Sequence, residues 1–263
     1  MPQDIYPVKP HIAERAYIRS MEEYQRLYRL SLDNPDWFWG EQAKAITWFH
    51  PYQSVLDSDY EEVDFSWYSG GRLNASFNCI DRHLPELGDR TAIIWVEDEP
   101  GVYKHITYRE LKHNVCRIAN VLLSHGVRRG DRVCIYMPMV PEAAVAMLAC
   151  ARIGAVHSVV FGGFAPQELV KRIDDAKPKV VVSASCGIEV DRTIAYKPLL
   201  DNAIANAKFK PESCVILQRP QAHAPMTAER DYDWHVLMSA AQPTECVPVE
   251  ATDPLYILYT SGT

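Results

Sequence analysis

Positive charge is scarce in this 263-residue sequence: 27 Lys and Arg stand against 34 Asp and Glu, a net charge of −7. That balance argues against a nucleic-acid partner, which calls for a basic patch. It leaves small anionic ligands open, because a few local cations can hold one in an acidic protein. No apolar run reaches the about 18 residues that a membrane span needs. Met1 to Arg19 carries Asp4 and Glu14 and no continuous apolar stretch, so no signal peptide is read there. The expectation is a cytoplasmic protein that engages no membrane. The seven cysteines (Cys79, Cys116, Cys134, Cys150, Cys186, Cys214 and Cys246) never fall in a C-x-x-C pair. Such scatter fits reduced, mostly buried thiols. Cys79 with His83 is too few ligands for zinc, and no metal site is expected. Repeats, low-complexity tracts and a G-x-x-x-x-G-K-[ST] phosphate loop are all absent.

What is present falls into two parts. The stretch to about Gly71 is rich in aromatics, among them Tyr24, Tyr28, Trp37, Phe38, Trp39, Trp48, Tyr52, Trp67 and Tyr68. Ser20 or a neighbour caps a helix through Leu30, and Asn34-Pro35-Asp36 reads as a turn or a helix start. The aromatics are expected to pin this mostly helical extension onto a larger body. From Thr91 the pattern becomes regular. Thr91 to Val96 and His105 to Thr107 read as paired strands around the Pro100-Gly101 turn. Thr107 and Glu110 fit a capping box. Leu111, Val115, Ile118 and Leu122 then trace one helical face, with Gly126 past its end. Strands are expected at 132–137, 155–160, 179–183, 215–218 and 255–258, and helices at 141–152, 166–176 and 197–207. Short, continuously apolar strands alternating with helices predict an α/β fold, a doubly wound and mostly parallel sheet covered on both faces.

Ligands of such sheets bind beyond the carboxyl ends of the strands. Those ends are Pro138 to Pro141, Phe161-Gly162-Gly163-Phe164 and Ser183 to Gly187. Paired glycines let backbone N–H groups approach an anion, though on their own they are more often a plain tight turn. Tyr259-Thr260-Ser261-Gly262-Thr263 offers hydroxyls and little bulk after a strand, which suits phosphates; taken bare, such a segment is more often a turn than a phosphate loop. Asp174 and Asp175 are read as solvent-facing at a helix end. His157 is read as a satisfied histidine of the second strand rather than a base.

Six stretches carry a resemblance. Tyr259 to Thr263 resembles the opening of the Y-T-S-G-T-T-G-x-P-K-G loop of adenylate-forming enzymes. Leu73 to Leu84 (LNASFNCIDRHL) and Tyr136 to Phe164 are similar to segments of the acetyl- and propionyl-CoA synthetases. Arg172 to Gly187, with Ala195 to Leu200 and Asp253 to Leu258, looks closer to the propionyl branch. The resemblance implies an incomplete N-terminal domain of the adenylate-forming fold: residues 1–75 as an extension of acetyl-CoA synthetase type and 76–263 as part of an AMP-binding domain. It implies an ATP-dependent ligase that joins propionate or acetate to CoA through an acyl-adenylate, with Mg²⁺ bound outside these residues. Thr260, Ser261, Gly262 and Thr263 would hold ATP phosphates. Phe161, Gly163 and Arg192 would contact CoA. Glu189 stands where acetyl-CoA synthetases carry a first arginine, in Gly187-Ile188-Glu189-Val190-Asp191-Arg192. The resemblance places the acyl pocket and every catalytic residue outside the chain, so these residues alone are expected to be inactive. A non-catalytic CoA-binding module or a broken gene product is the competing reading.

Overall fold

The computed structural model describes residues 8–97, 101–162, 166–189 and 192–260. Its centre is a six-stranded sheet. The strands are β1 (Arg132–Met137), β2 (Val156–Phe161), β3 (Val180–Ala184), β6 (Ser213–Leu217), β7 (Asp231–Asp233) and β8 (Tyr256–Ile257). Between β3 and β6 a small hairpin interposes β4 (Cys186–Glu189) and β5 (Arg192–Ala195). The sheet order is β7-β6-β3-β1-β2-β8, and every pairing is parallel.

Alternation along each strand divides the core. Val133, Ile135 and Met137 of β1, with Val180 and Val182 of β3 and Val215 and Leu217 of β6, face one layer. That layer holds helices α1 (Tyr108–Ser124), α2 (Pro141–Arg152) and α5 (Trp234–Ala240). Cys134, Tyr136, Val181, Cys214 and Ile216 face the other, against α3 (Pro166–Ala176) and α4 (Tyr196–Asn206). Both faces are therefore dry, which explains the continuous apolar runs. The doubly wound expectation holds, with strand boundaries shifted by one or two residues.

Local chemistry sets the helix ends. Thr107 Oγ1 accepts from Glu110 N–H at 3.2 Å while Glu110 accepts from Thr107 N–H at 2.8 Å, so the capping box of α1 is formed. Gly126 and Gly154 follow α1 and α2 at φ +80° and +71°, where a side chain would be strained.

The N-terminal stretch is helical as expected, over Met21–Asp33 and Pro35–Ala43, capped by Ser20 and Asn34. It also contains an antiparallel hairpin, Leu56–Asp59 with Asp64–Trp67, that the sequence did not announce. Its aromatics mostly pack on each other: Trp48 lies 5.1 Å from Tyr52 and 5.4 Å from Tyr68, and Trp39 5.8 Å from Trp67. Polar contacts tie the segment after it to the sheet layer. Buried Asn74 donates to the carbonyls of Ala151, Arg152 and Val247 at 2.8, 3.1 and 2.8 Å, closing the end of α2. Arg152, with no exposed surface, grips Asp81. Arg72–Leu73 pairs with Val249–Glu250.

Candidate nucleotide and CoA site

A parallel sheet puts all its carboxyl ends on one side. The ends of β2, β3, β6 and β8 therefore gather together, and the hairpin β4–β5 rises from the end of β3. Tyr196, at the start of α4, is the hub of this end. Its ring stacks on Tyr136 of β1 at 5.1 Å and 25°. Tyr136 Oη donates to the carbonyl of Gly162 at 3.2 Å. Burial pushes the Tyr136 phenol up to about 12, so it stays a neutral donor. Gly162 and Gly187 press on Tyr196 from two sides. A Cβ on Gly162 would sit 2.0 Å from Tyr196 Oη, and one on Gly187 2.6 Å from the ring. These glycines are required by close approach, a use the sequence reading did not foresee for either.

Arg192 opens β5 and faces Glu189 across the hairpin, Nη2 3.8 Å from Oε2. Both side chains are largely exposed. Glu189 therefore points the same way as Arg192 and is its ion-pair partner. Ser183 and Ser185 are buried: Ser183 Oγ donates to the carbonyl of Tyr136, and Ser185 Oγ accepts from the Arg219 N–H, both at 2.8 Å. Sequence reasoning missed Tyr196 and Arg219 as members of this end, because neither lies in a strand-end loop of glycines or hydroxyls.

Thr260 follows β8 and is exposed. The residue before it is fixed: Tyr259 Oη donates to Asp175 at 2.6 Å, and the Arg172 guanidinium lies 5.0 Å from the ring centre. Burial, then Asp175, push the Tyr259 phenol up. Asp175 is thus a partner rather than a bare solvent-facing acid, and Asp174 accepts from the Phe209 N–H at 2.9 Å. Since β8 pairs with β2, Thr260 lies three residues past the end of a strand that runs about 5 Å from β2. Gly163, Ser261, Gly262 and Thr263, and the side chain of Phe161, lie outside the described residues. His157 corrects another expectation: its Nδ1 is buried with no hydrogen-bond partner, and burial lowers its pKa to about 4.

The cysteines carry no chemistry at this end. All seven are free, and burial pushes Cys134, Cys150 and Cys214 up to about 12. Among the described residues no helix is long and apolar enough to cross a membrane.

Comparison with known proteins fits this arrangement. Residues 80–263 match the family described as AMP-binding enzyme, and residues 24–79 match the acetyl-coenzyme A synthetase N-terminus. The chain belongs to the AMP-binding enzyme family. The N-terminal match is to acetyl-coenzyme A synthetases. It is 51% identical over 264 residues to acetyl-coenzyme A synthetase 2 of Pseudomonas aeruginosa, covering 98% of this chain and 40% of that protein. It is 46% identical over 261 residues to acetyl-coenzyme A synthetase of Syntrophus aciditrophicus, with the same coverage. In structure it resembles acetoacetyl-CoA synthetase from Streptomyces lividans, with TM-score 0.83, 26% identity, and coverage of 96% of this chain and 38% of that one. The chain thus spans about 40% of the length of the curated relatives it matches.

Proposed function

We propose that these residues form the N-terminal portion of a cytoplasmic, ATP-dependent short-chain acyl-CoA synthetase, with residues 1–75 as its extension and 76–263 as part of its AMP-binding domain. In the first half-reaction a carboxylate oxygen attacks the α-phosphorus of ATP and pyrophosphate leaves. In the second, the CoA thiolate attacks the acyl carbon and AMP leaves. A carboxylate is a poor electrophile, and the adenylate supplies the leaving group. Thr260 with Ser261, Gly262 and Thr263 offers hydroxyl and backbone donors to the ATP phosphates, whose charge Mg²⁺, held outside these residues, would also meet. Phe161, Gly163 and Arg192 receive CoA.

The observation that carries this reading is the convergence of the strand ends. The segment entering the Tyr259–Thr263 loop, the glycine turn after β2 and the arginine hairpin after β3 share one end of one sheet. Two substrates that must react with each other need such an arrangement. The acid is proposed to be propionate in preference to acetate, on the character of residues 172–200 and 253–258; the curated relatives carry acetyl-CoA names. The test uses the full-length protein. Acid-dependent exchange of labelled pyrophosphate into ATP, followed by thioester formation on adding CoA, is the expected outcome. A protein that does neither refutes the reading, and side-by-side kcat/KM values favouring acetate reverse the choice of acid.

A further inference from the structure

Arg219 sits just past the carboxyl end of β6 and is 9% exposed. Its Nη1 donates one long hydrogen bond, 3.3 Å, to the carbonyl of Cys186 at the base of the hairpin. Among the described residues its Nε and Nη2 make no hydrogen bond and no carboxylate pairs with it. Neither atom is among the polar atoms sealed from solvent without a partner. The other buried cations are treated differently: Arg152 has Asp81, and Lys197 has Asp201 and Asp231. A lysine could escape such burial by losing its proton, but a guanidinium does not. A buried, permanently charged group that keeps two donors free just past the carboxyl end of a strand suits an anion.

The surroundings narrow the anion. At the hairpin tip Arg192 is already paired with Glu189, three residues from Cys186 and so about 10 Å up the strand. Glu189 offsets Arg192 there, and among the described residues of this end Arg219 is the buried cation without a carboxylate. The Tyr196 phenol, whose pKa burial raises, is pushed further up by Glu189 and pulled down by Arg219. The free Nε–Nη2 edge matches two oxygens of one phosphate. A monoester, carrying about −1.5 to −2 charges, meets it best.

We propose that Arg219 is the residue that receives the phosphate monoester of CoA, the 3′-phosphate of its adenosine, at the base of the β4–β5 hairpin. The proposal rests on the CoA reading above. Dephospho-CoA lacks this group and nothing else, which makes it the probe. In the full-length protein, Arg219→Met raises the KM for CoA by about tenfold or more, as expected for losing a charge-assisted pair, and changes the KM for dephospho-CoA far less. Arg219→Lys, which keeps the charge without the fork, falls between. Parallel rises for both thiols, or no rise for either, overturn the assignment. Binding of adenosine 3′,5′-bisphosphate, followed by calorimetry, separates the two claims. If the protein forms no thioester yet binds this compound and loses it in Arg219→Met, the CoA reading fails and the phosphate site stands. If both proteins bind it equally, Arg219 is not its receptor. Should Arg219→Met not fold, the Arg219→Lys ratio for the two thiols decides.

Discussion

Arg192 and Glu189 face each other across a two-strand hairpin, 3.8 Å apart. An exposed pair of this kind contributes at most about 1 kcal/mol, so a doubly charged ligand can displace it. Glu189 nevertheless competes for Arg192 and repels phosphate. Removing it should help CoA. Glu189→Gln in the full-length protein is expected to lower the KM for CoA by about threefold, a fraction of that pair energy. Arg192→Ala is expected to raise it, and to disturb acid-dependent pyrophosphate exchange far less, because adenylation precedes CoA entry. Equal losses in both assays of Arg192→Ala would make Arg192 structural.

Arg152 and Asp81 lock the segment after the N-terminal extension onto α2 through hydrogen bonds of 2.7 and 3.1 Å, with Lys112 3.1 Å from the same carboxylate. Arg152→Met leaves Asp81 and the Thr244 carbonyl without this partner. Breaking such a buried pair costs about 3–5 kcal/mol. Burial alone would raise the pKa of Asp81, but Arg152 and Lys112 outweigh it and hold it below the usual value. A lowered folded-state pKa stabilises above the unfolded value and is lost as pH falls below about 4. Thermal unfolding across that range should show a steeper acid loss in the wild type than in Asp81→Asn, whose Tm is lower at neutral pH. Parallel profiles would refute the linkage.

How much of this the sequence told depends on where the stabilising contacts lie. β1 and β3 were legible because both faces of Val133–Met137 and Val180–Ala184 meet apolar layers, and burial writes itself as a continuous run. The α1 cap was legible because Thr107 and Glu110 are three residues apart. β7, Asp231-Tyr232-Asp233, has no apolar pattern; Asp231 is held by Lys197 and Arg230, and Lys197 is distant in sequence. The β4–β5 hairpin was read as loop, since four-residue strands rich in Gly, Glu, Arg and Thr carry no clear period. Of the site, Thr260 and Arg192 were named from motif positions, and the structure brings their segments to one end of the sheet. Tyr196 and Arg219 were not, because what marks them is a close approach of two glycines and a missing counter-ion, both properties of the folded chain.

Gly162 and Gly187 give a packing test. Alanine at either puts a methyl 2.0 Å or 2.6 Å from Tyr196 atoms, inside any tolerable contact. Overpacking of this kind costs about 1–3 kcal/mol. At Gly162 the nearest atom is the hydroxyl; at Gly187 it is the ring carbon Cε1. Tyr196→Phe should therefore recover more stability in Gly162→Ala than in Gly187→Ala, a coupling measured by urea denaturation of the single and double variants. Equal recovery would show that the hydroxyl does not set the clash.

His157 predicts a pH response of its own. It sits in β2 between Val133 of β1 and Tyr256 of β8, its ring centre 5.8 Å from the Tyr256 ring. Its Nδ1 is buried and unpartnered, and no carboxylate pairs with it among the described residues. Burial lowers its pKa to about 4, against about 6.5 for the unfolded chain. Between those values the unfolded state holds a proton that the folded state refuses. Stability from this residue is therefore complete above about pH 6.5 and is lost as pH falls toward 4. His157→Phe keeps a ring and removes the titration. Its Tm should vary less than the wild-type Tm between pH 6.5 and 4. His125, whose pKa burial also lowers, remains in both proteins and cancels in the comparison. Superimposable pH profiles for the two proteins would mean that His157 is protonated in the folded state, and that β8 opens from β2 readily enough to hydrate it.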